Sequence, residues 1–223
     1  VRDDAITGQT TWTSPTKANT FLVWQGGDVK NFELRISFRL VSNNDTVFAN
    51  SGVQYRSRVI DRATWLVGGY QADMDYSGKY LGMLYEEKGR GILMQPGEHI
   101  RVGPAGADGK PKIEQTGTAT DAVEIIAAYR KNEWNDLVVI ADGNHLLHYV
   151  NGKLTADVTD ADAQLLMDAL KRYGALNEDM EYVTGEESSA YRGWAVPEGG
   201  GTTGKPEPSE VHPLSVILQS NLW

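Results

Sequence analysis

Three stretches of the chain alternate apolar and polar residues with a period of two, and that period commits them to sheet. Asn31 to Leu40 reads NFELRISFRL, with Phe32, Leu34, Ile36, Phe38 and Leu40 set against Glu33, Arg35, Ser37 and Arg39. Asn50 to Arg58 reads NSGVQYRSR, and Gly69 to Asp75 reads GYQADMD. Successive side chains of a strand point to opposite faces, so Gln54, Arg56 and Arg58 share one face and Val53 and Tyr55 the other. The same parity groups Gln71, Asp73 and Asp75 and turns Tyr70, Ala72 and Met74 away. With the two faces matched in one sheet, amides, guanidinium groups and carboxylates form a single polar surface suited to sugars. An antiparallel sheet with one wet face alternates in the same way without any function. Two Arg and two Asp on neighbouring strands are, however, a costly concentration of charge unless they pair or grip something.

The remaining pattern is that of an all-β sandwich. Ala5 to Thr11 and Asn19 to Trp24 are β-rich, with a Ser14-Pro15 turn between them. Gly52 to Arg58, Trp65 to Asp73 and Leu81 to Glu86 follow at sandwich intervals. Residues 95–120 are rich in Gly, Pro and Thr without sustained periodicity, which predicts a long excursion with at most short strands. From Trp134 the turn signals Asp142-Gly143 and Asn151-Gly152 predict a three-stranded meander. One helix is predicted, capped by Asp160 or Asp162, with Leu165, Leu166, Ala169, Leu170 and Tyr173 on one face and Gly174 at its end. Residues 184–213 read as an irregular loop, and Val216 to Gln219 as a final short strand. The 223 residues suit one domain, 1–223, with an irregular helix-plus-loop insertion around 160–213.

Composition removes several function classes. The chain has no cysteine, hence no disulfide, thiol catalysis or thiolate metal site. A net charge of −9 repels phosphate backbones and anionic membranes, which argues against a nucleic-acid partner. No apolar run is long enough to span a membrane, and Val1-Arg2-Asp3-Asp4 is not a signal peptide. His99, His145, His148 and His212 form no zinc-hydrolase motif, and neither a nucleophile elbow nor a phosphate loop is present.

Asp73-x-Asp75 is the best acid/base candidate, because alternate strand positions put two carboxylates on one face roughly 7 Å apart. Carboxylates that close split their proton affinities, leaving one to hold a proton and one to take it. Its plain alternatives are a surface pair or a calcium site. Glu86-Glu87 follows Tyr85, and one of the two can face the same surface. Arg56 and Arg58 offer planar forks to hydroxyls or a developing oxyanion, with a structural salt-bridge lattice as the alternative. Six Trp and ten Tyr suit a carbohydrate binder, since flat rings stack on sugars, although most aromatics of a sandwich are core. Trp24, Trp65 and Trp194 are the ones to follow.

Asn50-Ser51-Gly52-Val53-Gln54-Tyr55-Arg56, Gly69-Tyr70-Gln71-Ala72, Gly82-Met83-Leu84-Tyr85, Glu133-Trp134-Asn135 and Val150-Asn151-Gly152 together resemble, in that order, the bacterial 3-keto-disaccharide hydrolase family. The resemblance covers about residues 3–160. It implies a concanavalin A-like jelly roll of two antiparallel sheets, a carbohydrate site on the concave sheet, and a periplasmic or extracellular bacterial protein. Carried over by position, Arg56, Gln71 and Tyr85 become site or scaffold residues, and Trp134 with Asn135 begins a core strand. The chain departs from the family at its far end, where a helix and a long loop precede Val216-Ile217-Leu218-Gln219.

The expected activity is hydrolysis of 3-keto-glycosides by proton abstraction at C2, elimination and hydration. Asp73 or Asp75 is the expected base, Arg56 and Arg58 hold the enediolate, and Glu86 or Glu87 protonates the leaving group. Gln54, Gln71, Tyr85 and Trp194 are the expected substrate-binding residues, and the partner is an oligosaccharide or glycoside. No cofactor is identified; the architecture has room for a divalent cation such as calcium, and Asn43-Asn44-Asp45 offers oxygens without the spacing of an EF-hand loop. A noncatalytic glycan-binding module is the second reading. A retaining glycosidase, which needs two carboxyl groups about 5 Å apart, is the third.

Overall fold

The computed structural model describes residues 5–11, 13, 18–24, 29–42 and 49–161, together with the backbone of 217–221. Two six-stranded sheets pack face to face. The first runs β1 (Thr20–Leu22), β12 (Ile217–Asn221), β3 (Asn50–Asp61), β4 (Leu66–Asp75), β5 (Leu84–Glu87) and β6 (Gly91–Ile92). The second runs β2 (Phe32–Phe38), β9 (Asn135–Asp142), β10 (His145–Val150), β11 (Lys153–Asp160), β7 (Glu98–Ala105) and β8 (Pro111–Thr118). This is an all-β sandwich of the jelly-roll kind. Its pairings are antiparallel except that β11 runs parallel to β7.

The apolar half of each alternation makes the core. Val53, Tyr55, Tyr70, Ala72, Met74 and Leu84 of the first sheet meet Leu34, Ile100, Leu137, Val139, Leu146 and Val158 of the second. Each Val, Leu, Ile or Met side chain among them contributes roughly 1.5–3 kcal/mol by leaving water. The predicted meander is present, with β9, β10 and β11 paired in sequence. The final strand is present too, at 217–221 rather than 216–219, between β1 and β3.

Several expectations are corrected. Ala5 and Thr11 form isolated bridges, not a strand. Residues 95–120 hold a hairpin of two eight-residue strands, β7 and β8. Pro111 opens edge strand β8, where the absent N–H costs no ladder bond. A helix absent from the sequence reading, α1 (Ala122–Ala128), follows, with the Asp121 side chain accepting from Val123 N. Asp160 is the buried last residue of β11. The predicted helix beyond it, and the loop at 184–213, lie outside the described residues.

Polar side chains cross between the sheets at two places. Tyr55 Oη lies 2.9 Å from His148 Nε2, and His148 Nδ1 lies 3.1 Å from the carbonyl of Gly82. A carbonyl only accepts, so Nδ1 carries the hydrogen and Nε2 receives the tyrosine O–H. Burial pushes this imidazole down to about 4, against the opposing pull of the Gly82 bond. At the second place Arg90 donates to both oxygens of Asp160, at 2.6 and 3.2 Å, and pairs with Glu86. Tyr70 donates to Asp160 at 2.6 Å. Burial opposes the Arg90 charge, but Asp160 and Glu86 more than offset it and raise its proton affinity.

His148 makes stability sensitive to acid. Its folded value lies below the ordinary 6.5, so the unfolded chain binds the proton first as pH falls. The contribution of the neutral ring is complete above 6.5 and is lost down to about 4, a loss of roughly 3 kcal/mol. Chemical denaturation at pH 7 and pH 4 is expected to show wild type losing about that much more stability than His148→Gln; equal losses would contradict it.

Candidate functional site

The outward face of the first sheet carries the site. Register places Gln54 opposite Gln71, Gly52 opposite Asp73, Asn50 opposite Asp75, and Gln71 opposite Tyr85. Odd positions of β4 therefore meet even positions of β3, all pointing away from the core. Gln54, Gln71, Asp73 and Asp75 are nonetheless buried, with Gln54 at 0% and Asp73 at 3% exposure. The expected open polar floor is thus a set of polar groups removed from bulk water.

Hydrogen bonds join them into one chain that ends at Asp73. Ser57 Oγ lies 3.0 Å from Gln54 Oε1, Gln54 Nε2 donates to Gln71 Oε1 at 2.9 Å, and Gln71 Nε2 donates to Asp73 Oδ1 at 2.7 Å. Asn50 Nδ2 donates to the other oxygen, Oδ2, at 3.0 Å. Gly52 makes room for this: a Cβ there would stand 2.8–2.9 Å from the end of the Gln71 side chain. Burial pushes the Asp73 carboxyl up to about 7, offset in part by the Gln71 and Asn50 donors and reinforced by the nearby Asp75.

Asp75 has a different job. Its oxygens accept from the Ser77 hydroxyl, from Ser77 N at 3.2 Å and from Tyr80 N at 3.0 Å. It caps the turn after β4 and supplies no second open carboxylate beside Asp73, which removes the motive for the retaining-glycosidase reading.

A bulge redirects the arginines. Tyr55 pairs with Tyr70 and Arg58 with Gly68, leaving Arg56 and Ser57 opposite the single residue Gly69. Arg56 takes a φ of 47° and sends Nε and Nη2 to the carbonyl of Lys30, at 3.3 and 3.0 Å. Its fork is spent on backbone, so the expected enediolate clamp of Arg56 and Arg58 is not assembled. Arg58 falls opposite a position with the parity of Tyr70, not of Gln71.

The two glutamates separate. Glu86 pairs opposite Tyr70 and joins the buried Arg90–Asp160 network between the sheets. Glu87 pairs opposite Gly69 on the outward face, 8% exposed, with Lys88 Nζ at 3.4 Å. Tyr85 shares that face, and burial followed by the charges of Glu87 and Asp73 raises its hydroxyl, so it stays a donor. Trp65 is exposed at the β3–β4 turn. Trp134 is half-exposed with Arg39 over its ring at 5.3 Å; Asn135, not Trp134, begins β9 and is the buried member of that pair. Trp194 and Asn43-Asn44-Asp45 lie outside the described residues. Among the described residues no group of three or more His, Asp or Glu is placed to hold a metal ion, and no helix is long and apolar enough to cross a membrane.

Sequence reasoning missed Asn50, Ser57 and Gly82. Asn50 was legible, since it shares the parity of Gln54. The bulge had a signal in Gly68-Gly69, because glycine inside a strand marks irregular pairing or close approach. Gly82 ties the site to the second sheet: its N–H donates to Asp73 O at 2.8 Å, and its carbonyl receives His148 and, at 3.1 Å, the Thr155 hydroxyl.

Fold and site together define a jelly-roll β-sandwich with an amide-held carboxyl on the outer face of one sheet. The chain belongs to the family of 3-keto-alpha-glucoside-1,2-lyase-like domains, whose model matches residues 1–177. Among solved structures it is similar to one from Parabacteroides distasonis ATCC 8503 called a "putative glycosyl hydrolase", at 16% identity and a TM-score of 0.26, over 93% of this chain and 80% of that one. No curated protein matches it.

Gly52→Ala tests the geometry around Asp73. The added methyl is expected to displace the Gln71 amide, removing a donor that favours the ionised form and raising the carboxyl titration above 7. Carbon-13 NMR of Asp73 would follow it, and an unchanged midpoint would contradict the assigned contact.

Proposed function

We propose that the protein cleaves 3-keto-glucosides by elimination across C1 and C2, with Asp73 as the general base. The supporting observation is one carboxyl that is buried, held by two neutral amides and poised at about 7. A base with that value is about half ionised near neutral pH and regains a proton readily. The ketone at C3 acidifies the C2 hydrogen. Asp73 removes that hydrogen as a proton, the C2–H electron pair forms an enediolate, and the C1–O bond breaks with its electrons on the leaving oxygen. Water then adds at C1 and a proton returns to C2, which restores the ketone.

The other roles follow position on the same face. Tyr85 supplies an O–H to the enediolate oxygen, in place of the arginines, and Glu87 protonates the leaving oxygen, with Glu86 excluded by its place between the sheets. The substrate is a glycoside, reached from the side of half-buried Asn50 and Tyr85. The family supports this substrate class, and a periplasmic or extracellular setting belongs to the same proposal.

Incubation with paired native and C3-oxidised glucosides is the test. Only the oxidised sugar is expected to react, with kcat/KM rising as pH passes about 7. Asp73→Asn is expected to lose roughly 10²–10⁴-fold in kcat. Glu87→Gln should lower kcat without unfolding the protein, whereas Glu86→Gln should lower the melting temperature. Equal rates for wild type and Asp73→Asn would overturn the assignment, and binding without turnover would favour a glycan-binding module.

A further inference from the structure

We propose that strand β8 is an interface between two copies of this chain, the two strands pairing antiparallel about a two-fold axis at Ile113. β8 ends the second sheet, and among the described residues only β7 pairs with it. Of the strands at the sheet ends it is the longest, eight residues against seven for β2, three for β1 and two for β6. Lys112, Ile113, Glu114, Gln115 and Thr116 are all exposed. A row of open backbone N–H and C=O groups of that length is a template for another strand.

The register with β7 fixes where the side chains of β8 point. Ile113 lies opposite the core residue Val102, whereas Lys112 and Glu114 lie opposite Gly103 and Arg101 on the outer face. Edge strand β2 carries a comparable pair of charges, Glu33 and Arg35, two residues apart on one face, and there the two satisfy each other. On β8 they do not. Among the described residues neither Lys112 nor Glu114 has an ion-pair partner, so both charges are left for a surface that meets this edge.

A second copy supplies that surface in one register. Residues directly opposite each other in a continuous sheet share a face, so a two-fold axis normal to the sheet must pass through a residue of β8. An axis at Lys112 sets lysine against lysine, and an axis at Glu114 sets glutamate against glutamate; like charges directly opposite are destabilising. The axis at Ile113 sets Lys112 of each copy against Glu114 of the other. Glu114 then stands between Arg101 of its own β7 and Lys112 of the second copy. On the opposite face Ile113, 44% exposed in the single chain, covers its own symmetry mate.

Two features of β8 are of the kind that keeps sheet edges apart, Pro111 and Lys112. Lys112 deters only a strand that offers it no counter-charge, and Pro111 falls opposite Gln115 at the end of the pairing, where it costs at most one ladder bond. One strand pair is a small interface, so the dimer is weak and depends on concentration. The net charge of −9 on each copy opposes it at long range, and physiological salt screens that repulsion. The pairing does not rest on the proposed chemistry, since Asp73 belongs to the other sheet.

The experiment is sedimentation equilibrium of the full chain at about 0.15 M salt, up to about 0.5 mM protein. The wild-type mass is expected to climb from 24.5 kDa toward twice that value. Lys112→Glu and Glu114→Lys each set like charges together at two symmetric positions and are expected to weaken the dimer about tenfold. The double variant Lys112→Glu with Glu114→Lys restores both pairs, and with them the dimer to within about threefold of wild type. Because both side chains are exposed, the melting temperature of the single variants at concentrations where wild type is monomeric is expected to be unchanged, which separates a lost dimer from a lost fold. A wild type that stays monomeric throughout overturns the proposal, as does a dimer that either single reversal leaves intact or that the double variant fails to recover.

Discussion

A carboxyl taken out of water must be satisfied by the donors its fold sets beside it, and Asp73 has two neutral amides with no cation assigned to it. That constraint shapes the site. An arginine in their place would hold the carboxylate permanently ionised and leave a weak base. Amides satisfy the charge without fixing it. Gly52 exists where the Gln71 amide needs room, and the Arg56–Ser57 bulge turns a guanidinium away and brings a hydroxyl in.

The second sheet supports this from behind. Gly82 N–H donates to the carbonyl of Asp73, Asp73 N–H donates to that of Met83, and the Gly82 carbonyl receives His148 and Thr155 of the other sheet. Gly82 has a φ of 74°, and a Cβ there would fall 2.2 Å from Thr155 Oγ1, so the closeness of the sheets and the position of Asp73 depend on the same glycine. The buried imidazole and the buried carboxyl respond to acid in opposite senses. Acid destabilises the fold through His148, which must gain a buried charge, and relieves it through Asp73, which loses one.

Alternation carried far in this chain because the side-chain period of a strand is fixed by covalent geometry. It assigned Val53, Tyr55, Tyr70, Ala72 and Met74 to the core and Gln54, Gln71, Asp73 and Asp75 to the opposite face, as found. It failed at Arg56 and Arg58, where one extra residue shifts parity. Glu86 and Glu87 were separable only once the register with β4 was known. The contacts of Asp160 with Arg90 and Tyr70 could not be read, because those partners lie 70 and 90 residues away. The parallel pairing of β7 with β11 is non-local in the same way, and no local pattern announces it. The burial of the polar face was also illegible, since alternation assigns a face but not its exposure.

The central claim is that chemistry begins with removal of the C2 proton. The most direct measurement is the isotope content of the 3-keto-glucose released from a 3-keto-glucoside in deuterated water, against an Asp73→Asn blank. Elimination followed by hydration places solvent deuterium at C2 of the product. A product that keeps its original C2 hydrogen would mean direct displacement at C1 and would contradict the role given to Asp73.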